Sequence, residues 1–419
     1  KKYYEALLAD PGNAQFHLTD PRGASDKSGR TFNNPYQYFF EQMHMDDAIY
    51  ADESIYEYPM QQGGGNDGRP YSFGRPSSGG SKAAYPCKSY GQGRINPAYF
   101  YGVFDPNDMR RDVSITMTGS NGKGVEKLIP FVPNSKAEGG GLTLNKWDEN
   151  RQANPWVAAQ RKSGINGPYM RMSEVYLGYA EVCAALGDVV TGKQYLKTVR
   201  ERSFPQGLAN TDAFIASFGN DLVRAIIEER GFEYAGEGDR RWTLIRSGYL
   251  PEDIKRIKDM TKAMMDGLAT KGYYEFENGN IISAYIWTKL VDAKTIYGHR
   301  LTAQCPTDKV NDPVLYPGWR GQKDNWEEMG LNYGSSTPAT NLAIKGLFEI
   351  VSEEEAASLE SQGYAKVNWG IDLVDYRDEY DKYLFWDYDY VSAPIYLWPF
   401  TPNVMAAGGF TNGYGFKQE

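Results

Sequence analysis

The chain has few of the residues that build covalent or metal-bound scaffolds. Its 419 residues include only three cysteines and three histidines. Cys87, Cys183 and Cys305 are far apart in the sequence and form no CxxC pair, which excludes a disulfide-dense scaffold and a zinc ribbon. Cys183 falls in an apolar helical pattern, so we predict a buried, unpaired thiol there.

Positive charge and long apolar runs are also scarce. Lys and Arg number 45 against 54 Asp and Glu, a formal net charge of -9. This sign disfavours a partner with a phosphate backbone, such as DNA or RNA. A membrane-spanning helix needs about 20 mostly apolar residues, and the sequence contains no such run.

Common catalytic motifs are missing as well. His17, His44 and His299 are scattered, without an HExxH pair, and there is no GxSxG nucleophile motif. Residues 119–124, GSNGKG, are rich in glycine but lack the GxxxxGK[ST] spacing of a phosphate-binding loop. We interpret them as the turn of a β-hairpin.

Pairs of acidic residues leave one enzyme class open. Asp372 with Asp375, and Asp387 with Asp389, could supply the two carboxylates of a glycoside hydrolase. With 54 acidic residues in the chain, such pairs also arise by chance, and we interpret them as a solvated face. Whether Asp and Asn clusters hold calcium is left open, because calcium needs six to eight oxygens assembled in space.

Aromatic residues are plentiful. The chain has 32 Tyr, 18 Phe and 9 Trp, together 14% of its residues, with 45 Gly and 22 Pro. Tyr and Trp have an apolar face and a polar tip, so they suit both a core and a surface that binds sugars or peptides. Most are expected in the core.

Helices are predicted chiefly in the middle of the chain. From Tyr169 to Leu186 apolar residues recur at three- and four-residue steps, and Gly187 is placed to end the helix. A helix through 195–202 follows, so the two should form an antiparallel hairpin of the kind that stacks in helical repeats. Further helices are predicted at 3–7, 220–231, 240–246, 255–267 and 352–359, and β-prone segments at 54–58, 113–117 and 281–290.

Motifs in and around this hairpin resemble the SusD/RagB family. Residues 171–182 are similar to its Arg-x-x-Glu-x-x-Leu-x-x-Ala-Glu helix, and residues 199–202 to the Val-Arg-x-Arg ending of the partner helix. Residues 227–246 look like its Glu-Arg-x-x-Glu, Glu-Gly-x-Arg and Leu-x-Arg series, while residues 396–400 and 412–414 resemble its closing elements. Weaker similarity extends upstream to residues 53–57 and 105–110.

The resemblance implies a fold: mainly α-helical, with tetratricopeptide-type helix pairs and a large loop-rich subdomain that contains short strands. We expect one SusD-like domain over residues 1–419, lacking its N-terminal helices. Residues 12–168 would form a loop-rich portion, 169–248 the helical scaffold core and 249–419 a loop-rich C-terminal portion. The chain opens at Lys1 with what looks like the tail of a helix, so we expect earlier chain to precede it.

The resemblance also implies a function without catalysis or cofactor. SusD-like proteins capture glycans, or in some members peptides, at the cell surface of Bacteroidetes and pass them to a SusC-like TonB-dependent transporter in the outer membrane. Attachment would be through an N-terminal lipid that is not present in this chain. A secreted glycoside hydrolase and a helical-repeat scaffold that binds only protein remain the alternatives.

The charges of the family-like motifs are predicted to be structural. Arg171 and Glu174 are three residues apart and are expected to pair on one helix face. Five further residues are expected to tie a helix end to the following turn: Glu229, Arg230, Glu233, Glu237 and Arg240.

Candidate ligand-binding residues come instead from two aromatic loop regions. Stacking on a sugar needs flat aromatic faces with amide, guanidinium or carboxylate groups nearby. The first region offers Tyr71 and Tyr90, and the second, residues 316–333, offers Trp319 and Trp326 with Arg320 and Asn325 as hydrogen-bonding companions. Trp156 is a further candidate.

Overall fold

The fold was obtained as a computed structural model. It describes residues 1–12, 15–20, 35–36, 39–40, 53–61, 63, 72–76, 89–120, 126–131, 141–147, 163–292, 340–378, 396, 400–409 and 411. Within these residues the structure is mainly α-helical, with short antiparallel strands. This confirms the predicted fold class.

The helices lie mostly between residues 172 and 271. They are α1 (Lys2–Ala9), α2 (Pro97–Gly102), α3 (Arg110–Ser114), α4 (Met172–Ala185), α5 (Val189–Arg202), α6 (Thr211–Ser217), α7 (Leu222–Glu233), α8 (Asp239–Ser247), α9 (Leu250–Lys271), α10 (Glu353–Ser361), α11 (Gly370–Asp375) and α12 (Pro402–Gly408). Among the described residues, no helix combines the length and the apolar character needed to cross a bilayer.

The strands form small sheets. They are β1 (Ser54–Tyr58), β2 (Ile115–Thr116), β3 (Thr118–Ser120), β4 (Glu126–Leu128), β5 (Thr143–Leu144), β6 (Gly167–Arg171), β7 (Tyr273–Glu275), β8 (Ile281–Ser283), β9 (Tyr285–Asp292), β10 (Thr340–Lys345) and β11 (Ala365–Asn368). β9 lies between β10 and β11 in one sheet, and the pairs β1–β6, β2–β5, β3–β4 and β7–β8 are two-stranded.

The predicted helical hairpin is present as α4 and α5. Gly187, at a positive φ of 84°, ends the first helix, and the Asp188 side chain caps the second by accepting from the Thr191 N–H. Leu177 and Ala180 pack against Leu196 in a shared apolar cluster. Cys183 is buried on this hairpin and forms no disulfide, as predicted.

Helix α1 packs against the outer side of this hairpin. Lys1 Nζ lies 2.7 Å from Asp188 Oδ2, and the rings of Tyr4 and Tyr179 are 6.2 Å apart. A Cβ at Gly178 would lie only 2.5 Å from the Tyr4 hydroxyl oxygen, so a larger residue there would displace the Tyr4 ring.

Helix α7 lies at the centre of the molecule. Its Ile226 packs with the hairpin, its Ile227 with α8 and the start of α9, and its Phe232 with the largest cluster. That cluster joins α2, α9 and one face of the β10–β9–β11 sheet. The Asp221 side chain caps α7 by accepting from the Arg224 N–H at 3.0 Å.

Three predicted boundaries are wrong. Tyr169 lies in β6 and not in the helix, which begins at Met172 because residues 167–171 pair with β1. The segment 113–117 is the end of α3 followed by β2. The segment 281–290 is two strands separated at Ala284, whose N–H donates to the Gly272 carbonyl.

Two further predicted helices are confirmed, and a third is longer than predicted. α8 and α10 fall within a residue or two of their predicted ranges, while α9 extends well beyond residues 255–267 at both ends. β3 pairs antiparallel with β4, as expected for the strands on either side of the turn predicted at residues 119–124, while residues 121–125 lie outside the described residues.

Candidate functional site

A buried cluster of ion pairs fixes the middle of the molecule. At its centre, the Arg171 guanidinium lies 2.9 Å from Glu53 Oε1 and also contacts Glu233. It binds the Glu237 carboxylate through two hydrogen bonds of 3.0 and 3.1 Å. One arginine thus joins the residue before β1, the end of α7 and the turn that follows α7.

The remaining members of this ion cluster extend from the same carboxylates. Arg110 binds Asp108 in a bidentate pair and reaches Glu229 at 2.7 Å and Glu233 at 3.1 Å. The cluster has five cations and five anions, and every one of their side chains is at least nine-tenths buried: Arg110, Lys146, Arg171, Arg200 and Arg202 with Glu53, Asp108, Glu229, Glu233 and Glu237. Because five positive and five negative charges are present, the cluster as a whole carries no net charge.

Protonation in the cluster follows these contacts. Burial alone would raise the pKa of the Glu233 carboxyl, but Arg171, Arg202 and Arg110 hold that pKa well below its usual range. Burial lowers the pKa of the Lys146 ammonium to about 8, although Glu237, 2.6 Å away, opposes the shift. The Glu233 carboxylate is therefore ionised at neutral pH and acts as a structural anchor.

The predicted pair of Arg171 with Glu174 is wrong. Arg171 precedes α4 in an extended conformation, so its side chain turns toward Glu53 and Glu233, while Glu174 lies 3.4 Å from Arg230. The wider prediction, that these charges tie the end of α7 to the next turn, is confirmed.

A second buried cluster joins α7 to α8 and α9. Glu228 lies 2.7 Å from Arg240 and 2.8 Å from Arg256, and both arginines also contact Asp253. Burial disfavours the charged form of Glu228, but Arg240 and Arg256 outweigh it and lower its pKa to about 2.

Strands β1 and β6 form a two-stranded ribbon, one end of which lies at the ion cluster. Ser54 pairs with Arg171 at the base, next to the Glu53 anchor, and Tyr58 pairs with Gly167 farther out. The register shifts on either side of Tyr56, a bulge that redirects side chains of the strand. Both strands of the ribbon are thus fixed at one end by the Arg171–Glu53 ion pair.

The ribbon exposes three tyrosines to solvent. Tyr56, Tyr58 and Tyr169 are 59%, 57% and 70% exposed. The rings of Tyr56 and Tyr169 meet edge to face, with centroids 5.7 Å apart. Exposed apolar residues that cluster in this way mark an interaction surface more often than single ones do.

Polar groups border these rings. The Asn166 side chain donates to Glu57 Oε2 at 2.8 Å and accepts from the Met60 N–H at 2.8 Å. The tyrosine ribbon, defined by Tyr56, Tyr58 and Tyr169, therefore combines aromatic faces with an amide and a carboxylate held in fixed positions. This combination suits a ligand with both apolar C–H faces and hydroxyl groups.

Most of the ligand-binding residues predicted from the sequence cannot be compared with the ribbon. Trp319, Trp326, Arg320, Asn325, Tyr71 and Trp156 lie outside the described residues. Tyr90 is described and half-buried, beside the Ser89 hydroxyl that donates to the Gly74 carbonyl. Their role in binding stays a prediction.

One of the two acidic pairs lies among the described residues. Asp372 and Asp375 lie on α11. Burial raises the pKa of the Asp372 carboxyl, although the hydrogen bond that the Asn368 amide donates to it acts in the opposite direction. Asp387 and Asp389 lie outside the described residues. No group of three or more potential metal ligands is found among the residues that the structure describes.

The analysis of the sequence missed the tyrosine ribbon. It identified residues 54–58 as β-prone, but it assigned Tyr169 to a helix. The available signal was the alternation of Ile55 and Glu57 with Tyr56 and Tyr58, which places both tyrosines on one face of a strand.

Comparisons with known proteins point to one family. The SusD-like protein P25 of Formosa agariphila is 28% identical over 160 residues, which are 38% of this chain and 26% of that protein. A SusD homologue from Bacteroides thetaiotaomicron shares 18% identity with a TM-score of 0.42, over 63% of this chain and 51% of that one. The surface glycan-binding protein A of the same organism, solved with laminarihexaose, gives 18% identity and a TM-score of 0.40, over 60% and 50%.

The chain thus spans about a quarter to a half of the length of these relatives. A model of the SusD family, by contrast, matches nearly the whole chain, from residue 18 to residue 400. This range includes the hairpin α4–α5, α7 and the ion cluster that joins them. The chain therefore belongs to the SusD family.

Proposed function

We propose that this protein captures glycans at the cell surface, without catalysis, and delivers them to a SusC-like TonB-dependent transporter. Its membership of the SusD family supports the general role. The observation that carries the proposal is the tyrosine ribbon, three highly exposed rings at the end of a strand pair whose base is locked by buried ions. Location at the outer membrane, through an N-terminal lipid, is part of the same proposal.

The ribbon would bind a sugar through two kinds of contact. The C–H face of a pyranose ring would stack on Tyr169 or Tyr56, which are open to solvent and already in mutual contact. Sugar hydroxyls would exchange hydrogen bonds with the tyrosine hydroxyls and with the Glu57 carboxylate, which Asn166 holds in place.

The buried ion cluster would support this binding indirectly. Because Arg171 and Glu53 fix the ends of β6 and β1, the ribbon does not have to be ordered when a ligand arrives. Less conformational entropy is then lost on binding, which favours affinity. A peptide could bind to the same rings. The ligand panel described next distinguishes peptides from glycans.

A ligand panel tests the capture step. We expect at least one oligosaccharide to bind, and the double variant Tyr56→Ala/Tyr169→Ala to lose about tenfold in affinity for it. The matched control is Tyr3→Ala on α1, which removes another highly exposed tyrosine and should bind normally. If peptides bind and oligosaccharides do not, the ligand class is wrong; if sugar turnover is seen, a hydrolase is the better account.

Recovery of a partner tests the delivery step. The protein, isolated from solubilised outer membranes under conditions that preserve complexes, should bring a large TonB-dependent barrel with it. Recovery of the protein alone would contradict the importer role while leaving glycan capture intact.

A further inference from the structure

The sheet β10–β9–β11 has one face toward the core and one away from it. Ile286 and Ile344 lie in the main apolar cluster, and Val367 packs against it. Side chains alternate along a strand, so Tyr285, Trp287 and Lys289 lie on the other face. This outer face is distinct from the tyrosine ribbon, which is built from β1 and β6.

On the outer face, one lysine lies on each side of an indole. Trp287 pairs with Lys345 of β10 on one side and with Lys366 of β11 on the other, and paired residues share a face. Lys289 lies on the same face two positions along, and Asn368 pairs with Tyr285. None of the seven face positions from these pairings is acidic: Tyr285, Trp287, Lys289, Ala343, Lys345, Lys366 and Asn368.

The two lysines beside the indole have no counter-ion among the described residues. Neither Lys345 nor Lys366 forms an ion pair with any residue in the described part of the chain, although the chain as a whole has an excess of acids. The Lys366 ammonium lies instead over aromatic rings, 4.2 Å from the centroid of Tyr285 and 5.7 Å from that of Trp287. At the end of the face, the Asn368 amide donates to Asp372 Oδ1 at 3.2 Å.

The indole between the lysines has an unused donor. Trp287 is only 6% exposed, and its Nε1–H has no hydrogen-bond partner within the described structure. Buried donors are seldom left unsatisfied, because the loss of their water is costly. An anionic oxygen that reached this N–H would supply the acceptor that the described residues do not.

We propose that this row, Lys345, Trp287 and Lys366, binds the acidic group of an anionic glycan, a uronate carboxylate or a sulfate. The inference rests on the proposed glycan capture and names the class of glycan. The lysines supply positive charge, and Tyr285, which is 37% exposed, supplies an aromatic face beside them for the sugar ring.

Binding of paired polymers tests the proposal. Dextran sulfate is compared with dextran, and polygalacturonate with its methyl ester, at low and at high salt. We expect at least one acidic polymer to bind about tenfold more tightly than its neutral partner at low salt, with the difference shrinking as salt screens the charges. The variant Lys345→Gln/Lys366→Gln should abolish that preference and leave neutral binding unchanged.

Two controls separate a specific site from general electrostatics. Lys193→Gln/Lys197→Gln removes the same charge from α5, where these lysines pair with Asp212 and Glu201, and should keep the preference. Trp287→Phe keeps an aromatic ring but removes the N–H, and should weaken acidic binding about threefold.

Three results would overturn the proposal. One is an unchanged preference in the Lys345/Lys366 variant, and another is an equal loss in the α5 control. The third is lysine-dependent binding of phosphatidylglycerol vesicles with no binding of the acidic polymers. Ribbon-dependent binding of neutral glycans alone would refute this inference and keep the proposed function, whereas binding of no glycan at all would refute the proposed function too.

Discussion

Helix α7 and the tyrosine ribbon both depart from the usual arrangement of apolar side chains inside and charged side chains outside. On α7, five charged residues are buried, among them Glu228, Glu229 and Glu233, and each is paired. On the ribbon, three tyrosines lie in solvent, where rings of that size are seldom clustered. Buried charges need specific partners and therefore fix one arrangement, whereas exposed rings are available to a ligand.

The two regions are physically connected. Arg171 is the last residue of β6 and also the centre of the ion cluster, so the same side chain ends the ribbon and anchors it to α7. The comparison predicts that changes in the ion cluster reduce stability, while changes on the ribbon reduce binding.

Removal of a central carboxylate should have the largest effect. Glu233→Ala leaves Arg110, Arg171 and Arg202 with an uncompensated buried charge, which should lower the free energy of unfolding by about 3–5 kcal/mol. Urea unfolding followed by circular dichroism measures it. If this variant does not fold, Arg171→Lys, which keeps the charge but loses the bidentate contact with Glu237, should be less stable than the wild type.

Acid should weaken the α7–α8–α9 junction next. The pKa of Glu228 is about 2 in the folded protein and lies near 4.5 when the chain is unfolded. A lowered pKa contributes stability above the unfolded value, and this contribution, roughly 3 kcal/mol, is lost as the pH falls from about 4.5 to 2. Thermal unfolding across this range should show a shallower decline for Glu228→Gln; identical declines would contradict the account.

Truncation of the ribbon should leave stability nearly unchanged. Tyr56→Ala/Tyr169→Ala removes rings that are mostly in solvent, so we expect a change in unfolding free energy near 0.5 kcal/mol. A loss comparable to that of Glu233→Ala would mean that the ribbon is structural and not a binding surface.

A surface ion pair should matter least. Arg246 binds Glu181 at the exposed side of α8, with 2.8 Å between Nη2 and Oε2, and Arg246 is about half exposed. Arg246→Ala should cost only about 0.3 kcal/mol in the same urea measurement, because water screens the pair. A loss of unfolding free energy equal to that of Glu233→Ala would show that burial does not determine how much an ion pair contributes to stability.

Local patterns explain which parts of the fold could be predicted. Helices α4 and α7 follow from apolar spacing, Gly187 and the Asp221 cap, because these signals lie within a few residues of each other. The contact of Arg171 with Glu53 joins residues 118 positions apart, and no local pattern indicates it. The prediction that Arg171 pairs with Glu174 is wrong for this reason. Arg171 binds partners that are distant in the sequence instead of the nearby Glu174.

The candidate site was harder to predict because exposure is a property of the fold. Tyr56 and Tyr101 are the same residue type in aromatic segments, yet Tyr101 is fully buried and bound to the Trp369 indole, whereas Tyr56 is 59% exposed. Only the pairing of β1 with β6 shows which tyrosines meet in solvent.

The most direct test of the central claim is a titration of one bound oligosaccharide against wild-type protein, Tyr56→Ala/Tyr169→Ala and Tyr3→Ala, each with its unfolding temperature measured. The account predicts about a tenfold loss of affinity in the ribbon variant alone, at an unchanged unfolding temperature. Equal affinity in all three proteins would contradict it and place glycan binding elsewhere on the molecule.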